Sequence, residues 1–292
     1  MRVRMAANHR NQTPRFFLVG NAQKPNVKIS FDRLARWLDG RGLLVGSDLD
    51  GKPAAINEAK PDYVVALGGD GTILNVVQAM QHRQVPIIGV NLGKLGYLAG
   101  FNENEFESQL DRILTDPDCI SRRMLLDVLL VDAGGSTWRG IALNDCVLRV
   151  GDPYRTVGLS VSIDDHPVTT IVGDGLIIAT PTGSTAHNMA CGGPIVQPDV
   201  SAIVMTPLCP HSLTHRPIVV APDVRVKVDV RKTSAGVAVV LDGQVVRPVP
   251  GGASLLVHRS AEQVQLVMNP HRHQWDLLVQ KLKWGQGLTG PA

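Results

Sequence analysis

Residues 63–80 read YVVALGGDGTILNVVQAM: an apolar run, a glycine-rich turn and a stretch with helical spacing. The pattern predicts a buried strand over residues 63–67 and a helix that begins at the turn. Unpaired backbone N–H groups converge at such a turn and favour the binding of anions, phosphate groups above all. The turn has neither the lysine of a P-loop nor the GxGxxG spacing, so it matches neither of those nucleotide-binding fingerprints.

Asp70 is the unusual residue of this turn. A carboxylate repels the phosphate that its neighbours attract, so its presence indicates chemistry. It could contact a metal ion, or it could accept the proton of a hydroxyl group that attacks phosphorus. The alternative is that Asp70 only caps the N-terminus of the helix, as aspartate often does.

The composition indicates a folded protein that does not bind nucleic acid. A chain of 292 residues has room for two compact domains, and its 44% apolar and 19% charged content is that of globular proteins. A net charge of +3 and 4% aromatic residues argue against a nucleic-acid surface. No apolar run reaches the ~20 residues of a membrane helix, and the basic first fifteen residues lack the apolar core of a secretory signal.

The cysteines and histidines suggest neither a disulfide framework nor a metal centre. Cys119, Cys146, Cys191 and Cys209 lie far apart without a CxxC pair, which predicts reduced thiols and a cytoplasmic location. His211 and His215 are four residues apart, but the prolines around them argue against a helix that presents both to zinc. No metal-ligating residues are predicted.

The chain has two parts with different patterns of predicted strands and helices. Between Phe16 and Pro117, short apolar runs alternate with helical stretches, which indicates a parallel sheet covered by helices. From Arg122 onward, closely spaced β runs are separated by turn residues, which is typical of an antiparallel β-sandwich. The predicted organisation is a disordered leader (1–14), an α/β Rossmann-like domain (15–120), a β-sandwich domain (121–270), a helix that packs back on the first domain (271–284) and a disordered tail (285–292).

Residues 173–186, which read GDGLIIATPTGSTA, form the second dense cluster of glycine and hydroxyl residues. Thr182, Ser184 and Thr185 can donate hydrogen bonds to a ligand, and the glycine between them permits a close approach of the backbone. Helix capping is the alternative, but it would use only one hydroxyl group. Asp174, between two glycines, resembles Asp70 in its context.

Three weaker signals each have two interpretations. Asn144-Asp145 follows an apolar run and suits ribose hydroxyl groups, although such a pair is often only a turn. Asp242-Gly243 lies between alternating apolar residues, so a type I′ hairpin explains it without a ligand. Residues 92–97 follow a strand end, where parallel sheets bind ligands, but they could equally form a glycine-rich crossover.

In this order along the chain, several stretches together resemble the NAD kinase family: residues 68–72, 91–101, 144–145, 173–186, 206–213 and 242–244. The resemblance extends from about Tyr63 to Trp284. GGDGT also occurs in diacylglycerol and sphingosine kinases and in some phosphofructokinases, whereas GDG followed by TPTGSTA is far more specific. The resemblance implies that ATP (or polyphosphate) phosphorylates the 2′-hydroxyl of the adenosine ribose of NAD, giving NADP. Magnesium would enter with the donor nucleotide.

The family pattern also implies roles for individual residues. Asp70 would be the catalytic carboxylate, Asn144 and Asp145 would match the family's NE/D pair, Asp174 would engage the nicotinamide end, and residues 185–190 would contact the adenosine. His187 departs from the pattern, because the family usually has tyrosine there. The implied nucleotide-binding residues are Gly68, Gly69, Gly71, Thr72, Tyr97, Asn144, Asp145, Arg155, Asp174, Thr182, Thr185, Ala186, His187, Asn188, Ala190 and Gln244.

The family fold is an α/β domain plus a β-sandwich with the site between them. It agrees with the two patterns of predicted strands and helices. Family members form dimers or tetramers, so a homodimer or homotetramer is expected, with small-molecule nucleotides as partners and neither nucleic acid nor membrane. One alternative is a lipid kinase that shares the GGDGT turn. The other is a non-catalytic module that binds NAD without turnover.

Overall fold

The computed structural model describes residues 13–23, 27–50, 55–93, 96–153, 155–231, 236–272 and 274–283. Most of the predicted leader (1–12 of 1–14), Trp284 of the predicted last helix and the whole predicted tail (285–292) lie outside the described residues. The chain divides into two compact units. Unit 1 takes the described residues within Met1–Ala79, Val85–Ile120 and Leu266–Ala292, and unit 2 takes Met80–Gln84 and those within Ser121–Gln265.

The described residues form strands and helices in the following order. The strands are β1 (Phe16–Val19), β2 (Leu44–Asp48), β3 (Tyr63–Leu67), β4 (Ile87–Val90), β5 (Ile120–Val131), β6 (Thr137–Ala142), β7 (Asp145–Gly151), β8 (Val157–Ile163), β9 (His166–Gly173), β10 (Gly175–Ala179), β11 (Ile203–Leu208), β12 (Ile218–Val220), β13 (Val226–Val230), β14 (Gly236–Leu241), β15 (Val245–Pro248) and β16 (Ser254–Val267). The α-helices are α1 (Val27–Asp39), α2 (Ile56–Ala59), α3 (Asp70–Met80), α4 (Glu103–Thr115), α5 (His187–Ala190) and α6 (Gln274–Leu282).

Unit 1 contains the predicted parallel sheet. Its strands run in the order β2-β1-β3-β4, each pair parallel, and the last two residues of β16 continue the sheet beside β4. Strands β1 and β4 are buried along their whole length, as expected when both faces of a sheet are covered. Helices α1 and α4 contribute Phe31, Leu34 and Phe106 to the core. The carboxyl end of β3 therefore belongs to a sheet that is packed within the core of unit 1.

Unit 2 is the predicted antiparallel β-sandwich. One sheet has the order β12-β11-β10-β7-β14-β15, with every neighbouring pair antiparallel. The other sheet contains β16, β13, β8 and β9 in antiparallel order, joined by the hairpin β5-β6. Alternate residues of both sheets, such as Val226, Val228 and Val230 of β13 and Leu176 and Ile178 of β10, share one core. Because apolar residues alternate along these strands, each sheet has one face that points into the core and one that points away from it.

None of the helices in the described part of the chain combines the length and hydrophobicity that a membrane-spanning segment requires.

Helix α4 is fixed at its N-terminus by a capping box. The side chain of Asn102 accepts the Glu105 N–H at 2.9 Å, and the Glu105 carboxylate accepts the Asn102 N–H at 2.7 Å. The same carboxylate receives Arg272 Nη2 at 2.8 Å on each oxygen. Because Arg272 precedes α6, this cluster connects the first turn of α4 to the C-terminal segment within unit 1.

We expect Asn102→Ala to lower the free energy of unfolding by about 1 kcal/mol, the usual cost of removing a helix cap. The substitution leaves the Glu105 N–H without its acceptor. Asn104→Ala is the control, since Asn104 is an exposed residue of the same helix turn. Urea unfolding of both variants checks the prediction, and equal midpoints for the two would contradict it.

Candidate functional site

The glycine turn after β3 leads directly into α3. Gly68 has φ +153°, and a Cβ atom there would lie 2.3 Å from Thr72 Oγ1, so any larger residue would collide with the first helical turn. Thr72 is buried, and its N–H donates to Gly69 O at 2.9 Å. A Cβ atom at Gly69 or Gly71 would meet nothing within 4 Å. The turn is therefore tightly packed at Gly68 and open at the two following glycines, where a phosphate could approach.

The carboxylate of Asp70 is held by a second loop of unit 1. Oδ2 accepts the Tyr97 N–H at 2.9 Å, and Oδ1 accepts the Leu98 N–H at 2.9 Å and the Ala99 N–H at 3.4 Å. These contacts are not those of a helix cap, because the donors belong to residues 97–99 and not to the first turn of α3. Asp70 is partly exposed. A carboxylate oxygen has two lone pairs, and among the described residues Oδ2 accepts only the Tyr97 N–H.

Gly96 makes this contact possible. A Cβ atom at Gly96 would lie 1.9 Å from Asp70 Oδ1. The next residue, Tyr97, has a buried hydroxyl group without a hydrogen-bond partner among the described residues. Burial, and then the charge of Asp70, raise the pKa of Tyr97, so the phenol stays neutral. Lys281 Nζ lies 5.0 Å from the centre of its ring, within the range of a cation–π contact.

Unit 2 contains a cavity of about 560 Å³. It opens on the sheet formed by β7 and β14, beside the start of α5. Its lining includes four predicted nucleotide-binding residues, namely Asn144, Asp145, Ala186 and His187. The remaining residues that line it are Val147, Arg149, Val150, Gly151, Ala238, Val240, Asp242, Gly243 and Val246.

Asp145 is the buried carboxyl group of this cavity, with only 4% of its surface exposed. Burial, and then the negative charge of Asp242, raise the pKa of Asp145 to about 7. Both causes disfavour the ionised form. Near neutral pH the cavity therefore contains a carboxyl group that can act as a hydrogen-bond donor when protonated and as an acceptor when ionised.

The TPTGSTA segment lies against the backbone of Asn144. Thr180 N–H donates to Asn144 O at 2.8 Å, and Thr180 Oγ1 donates to Leu143 O at 2.6 Å. A Cβ atom at Gly183 would lie 2.0 Å from Asn144 O. Gly183 is thus needed for the close approach of two loops within unit 2.

Two polar residues of this region are buried and bonded internally. Ser184 Oγ lies 2.6 Å from Pro181 O and accepts the Val196 N–H at 2.9 Å. The Asn188 amide group donates to Ser184 O at 3.2 Å and accepts from Thr206 Oγ1 at 2.6 Å. Both side chains are fully buried. The ligand contact predicted for Asn188 stays a prediction, and this geometry favours a supporting role for its side chain.

Asp174 is exposed between two glycines that cannot be replaced without a collision. A Cβ atom at Gly173 would lie 2.7 Å from Cys209 O, and one at Gly175 would lie 2.0 Å from Leu148 O. The pKa of the exposed Cys209 is raised, first by its side-chain hydrogen bond to Asp174 and then by the charge of Asp174. All four cysteines of the chain are free.

Five further predicted binding residues of unit 2 do not line the cavity. Thr182 is buried and Thr185 is partly exposed, with its hydroxyl 3.3 Å from Thr182 O. Ala190 ends α5 and is exposed. Gln244 is exposed directly after the Asp242-Gly243 turn, and Arg155 is exposed before β8.

Sequence reasoning missed Asp242 and Arg149 as parts of the cavity. The hairpin expected at Asp242-Gly243 is present, because both residues have positive φ (53° and 66°) and Gln244 N–H donates to Leu241 O at 2.9 Å. The carboxylate of Asp242 nevertheless is buried, at 5% exposure, and lines the cavity. A hairpin turn needs no buried acid, but burial cannot be seen from the local pattern.

Two family models match the chain. The ATP-NAD kinase N-terminal domain matches residues 51–118, and the ATP-NAD kinase C-terminal domain matches residues 143–269. The NAD kinase of Geotalea daltonii is 39% identical over 264 residues, which cover 87% of this chain and 93% of the relative. The NAD kinase of Geobacter sulfurreducens is 37% identical over 262 residues, which cover 87% of this chain and 92% of the relative.

Solved structures share the fold. The crystal structure of yeast NADH kinase complexed with NADH matches with a TM-score of 0.82 at 23% identity, covering 96% of this chain and 91% of that one. The crystal structure of an NAD kinase from Archaeoglobus fulgidus in complex with ATP matches with a TM-score of 0.73 at 25% identity, covering 92% and 98%. All four of these proteins are NAD or NADH kinases, and the lipid-kinase alternative has no support among them. Since both family models match in chain order and the curated relatives align along more than nine-tenths of their length, the chain belongs to the NAD kinase family.

Proposed function

We propose that Asp70 accepts the proton of the 2′-hydroxyl of the adenosine ribose of NAD while the γ-phosphoryl group of ATP is transferred to that oxygen. The hydroxyl oxygen bonds to the γ-phosphorus, and the bond from the γ-phosphorus to the bridging oxygen breaks. ADP leaves with the electron pair, and the proton passes from Asp70 to solvent. The observation that carries this role is the fixed carboxylate, which the N–H groups of Tyr97 and Leu98 hold at 2.9 Å, while Oδ2 accepts a single N–H among the described residues.

The phosphate groups of the donor would bind at the glycine turn. The open positions Gly69, directly before α3, and Gly71, in its first turn, would let phosphate oxygens reach backbone N–H groups of that turn. Gly68 and Thr72 would shape the turn. Oriented donors of this kind are most useful in phosphoryl transfer, where catalysis depends on positioning and charge stabilisation.

A divalent cation, Mg²⁺, would come with the donor. Among the described residues, no group of three or more His, Cys, Asp or Glu side chains is placed to hold a metal ion. Phosphate oxygens and water commonly complete the shell of Mg²⁺ in nucleotide sites. The cation would supply charge neutralisation on the transferred phosphoryl group.

The dinucleotide would bind in the cavity of unit 2. Asn144 and Asp145 would contact ribose hydroxyl groups, Ala186 and His187 would contact the adenosine region, and Asp174 would engage the nicotinamide end. The cavity volume of about 560 Å³ supports a ligand of nucleotide size. The remaining proposed contacts are Tyr97, Arg155, Thr182, Thr185, Ala190 and Gln244, with Asn188 supporting them from within. Polyphosphate as a donor, the oligomeric state and the cytoplasmic location stay predictions.

Asp70→Asn should lower kcat by ~10²- to 10⁴-fold, because the amide keeps the volume but cannot accept the proton. NAD binding should persist. The amide also keeps only one acceptor oxygen for the loop, so a loss of about 1–3 kcal/mol in stability is expected and is measured in parallel. Assaying NADP formation from NAD with ATP or polyphosphate tests this. Asp111→Asn, an exposed acid of α4, is the control. Activity of Asp70→Asn within a few fold of the control would rule out the assigned role.

Asp174→Ala should raise the KM for NAD more than it lowers kcat, because its proposed contribution is uniform binding of the substrate. Asp174 is exposed, so the fold should tolerate the change. Asp223→Ala, at an exposed acid of unit 2 whose side chain is 83% exposed, is the matched control. Steady-state kinetics with varied NAD decide the point, and an unchanged KM would leave Asp174 as a turn residue only.

A further inference from the structure

The carboxylate of Asp242 reaches back from its hairpin to the segment before β7. Oδ2 accepts the Leu143 N–H at 2.9 Å, and Oδ1 accepts the Asn144 N–H at 2.6 Å and the Asp145 N–H at 3.2 Å. The Asp242 N–H in turn donates to Asp145 O at 3.0 Å. A single side chain therefore satisfies three successive backbone donors. Hydrogen bonds to an ionised acceptor are roughly twice as strong as those between neutral groups.

Thr180 holds the same segment from the other side. Its N–H and hydroxyl groups bind the carbonyl oxygens of Asn144 and Leu143, at 2.8 and 2.6 Å. Every backbone polar group of Leu143 and Asn144 is thus bonded, the N–H groups to Asp242 and the carbonyl groups to Thr180. The side chains of Asn144 and Asp145 remain to face the cavity, where both belong to the lining.

We propose that Asp242 is a positioning residue for dinucleotide binding, which fixes the backbone of residues 143–145 so that Asn144 and Asp145 present their side chains to ribose hydroxyl groups. The inference rests on the proposed function, in which those two side chains contact NAD. Asp242 itself needs no contact with the ligand. Its three bonds to backbone donors are formed before the ligand binds, which lowers the ordering cost of binding.

Asp242 also acts on Asp145 through its charge. The two carboxyl groups are both buried, and the charge of Asp242 adds to burial in raising the pKa of Asp145. The other titratable or charged side chains around Asp145, from β7, the cavity wall and α5 with its C-cap, are Cys146, Arg149, His187 and Cys191. Burial, then the neighbouring acids, raise the pKa of Cys146 well above its ordinary value, so this thiol stays neutral across the neutral range.

Asp242→Asn tests the inference, because it keeps the shape but removes the charge and one acceptor oxygen. The parent protein and all variants in this experiment carry the substitution His187→Tyr, because a histidine side chain also changes charge between about pH 5 and 8. Calorimetry gives the dissociation constant of NAD across that range. This readout does not depend on turnover, so a failure of the role of Asp70 would leave it intact.

Asp242→Asn should weaken NAD binding roughly tenfold and move the midpoint of its pH dependence to lower pH. The direction holds whichever form of Asp145 binds NAD better, because removal of a like charge lets Asp145 ionise more easily. Asp145→Asn should abolish that midpoint. In the Asp145→Asn background, Asp242→Asn should still weaken binding through Asn144 but should shift no midpoint.

The matched control is Asp164→Asn. Asp164 is another hairpin aspartate with positive φ (49°), and its carboxylate accepts a backbone N–H, that of Arg225, at 2.9 Å. It does not line the cavity. We expect this control to leave NAD affinity and its pH dependence unchanged. An Asp242→Asn protein that matches the control in both would overturn the proposal.

If Asp242→Asn fails to fold, Asp242→Ser, which keeps one acceptor oxygen without the charge, replaces it in the binding measurements, and an NAD affinity equal to that of the Asp164→Asn control would overturn the proposal. The stability of Asp145→Asn checks the raised pKa of Asp145 independently. The native pKa of Asp145 lies above its unfolded value, so the native state binds the proton more tightly than the unfolded chain does. The free energy of unfolding of the Asp145 protein should therefore fall relative to that of Asp145→Asn as pH rises from about 4 through 7. Parallel stability profiles would show that folding does not raise the pKa of Asp145, and the shift of the binding midpoint would then not be expected.

Discussion

The carboxylate of Asp70 accepts backbone N–H groups from a loop that follows the next strand, and the carboxylate of Asp242 does the same for the segment before β7. In each unit an acid side chain replaces the backbone acceptors that a helix or sheet would supply. A buried backbone N–H without an acceptor costs about 1–3 kcal/mol. The segments 97–99 and 143–145 therefore have one favoured arrangement each. Those segments carry Tyr97, Asn144 and Asp145, three residues of the proposed site.

This mode of support requires glycine wherever two such segments come close together. Gly96 faces Asp70 Oδ1, and Gly183 faces Asn144 O, each at a distance of 2.0 Å or less from a notional Cβ atom. Gly193 likewise faces the amide group of Asn188, with a notional Cβ atom 2.2 Å from Oδ1. These glycines serve the contact of one loop with another. Gly69 and Gly71 differ, because the space beside them is open. The GGDGT turn contains both kinds, because a Cβ atom at Gly68 would lie 2.3 Å from Thr72 Oγ1.

The sequence predicts the elements well because they depend on local patterns. Residues 63–67 form the expected buried strand, and the helix after it begins at Asp70. Alternating apolar residues along β13 and β10 specify the sandwich face in the same way. The hairpin at Asp242-Gly243 is also present, since an Asp-Gly pair favours positive φ at both residues.

Long-range hydrogen bonds account for what local patterns could not predict. The position of Asp70 at the helix start suggested a cap, but its partners lie at residues 97–99. The hydroxyl of Ser184 and the amide of Asn188 looked available to a ligand, yet Val196 and Thr206 bind them inside unit 2. Asp242 shows the reverse case: a residue with a sufficient local explanation carries a second, distant role.

Two buried carboxyl groups side by side are unfavourable for stability when both are ionised. Their close placement is understandable if Asp242 keeps the charge, which its three N–H donors stabilise, and Asp145 keeps the proton. The stabilisation that comes from protonated Asp145 is then complete at low pH and is lost as pH rises through about 7.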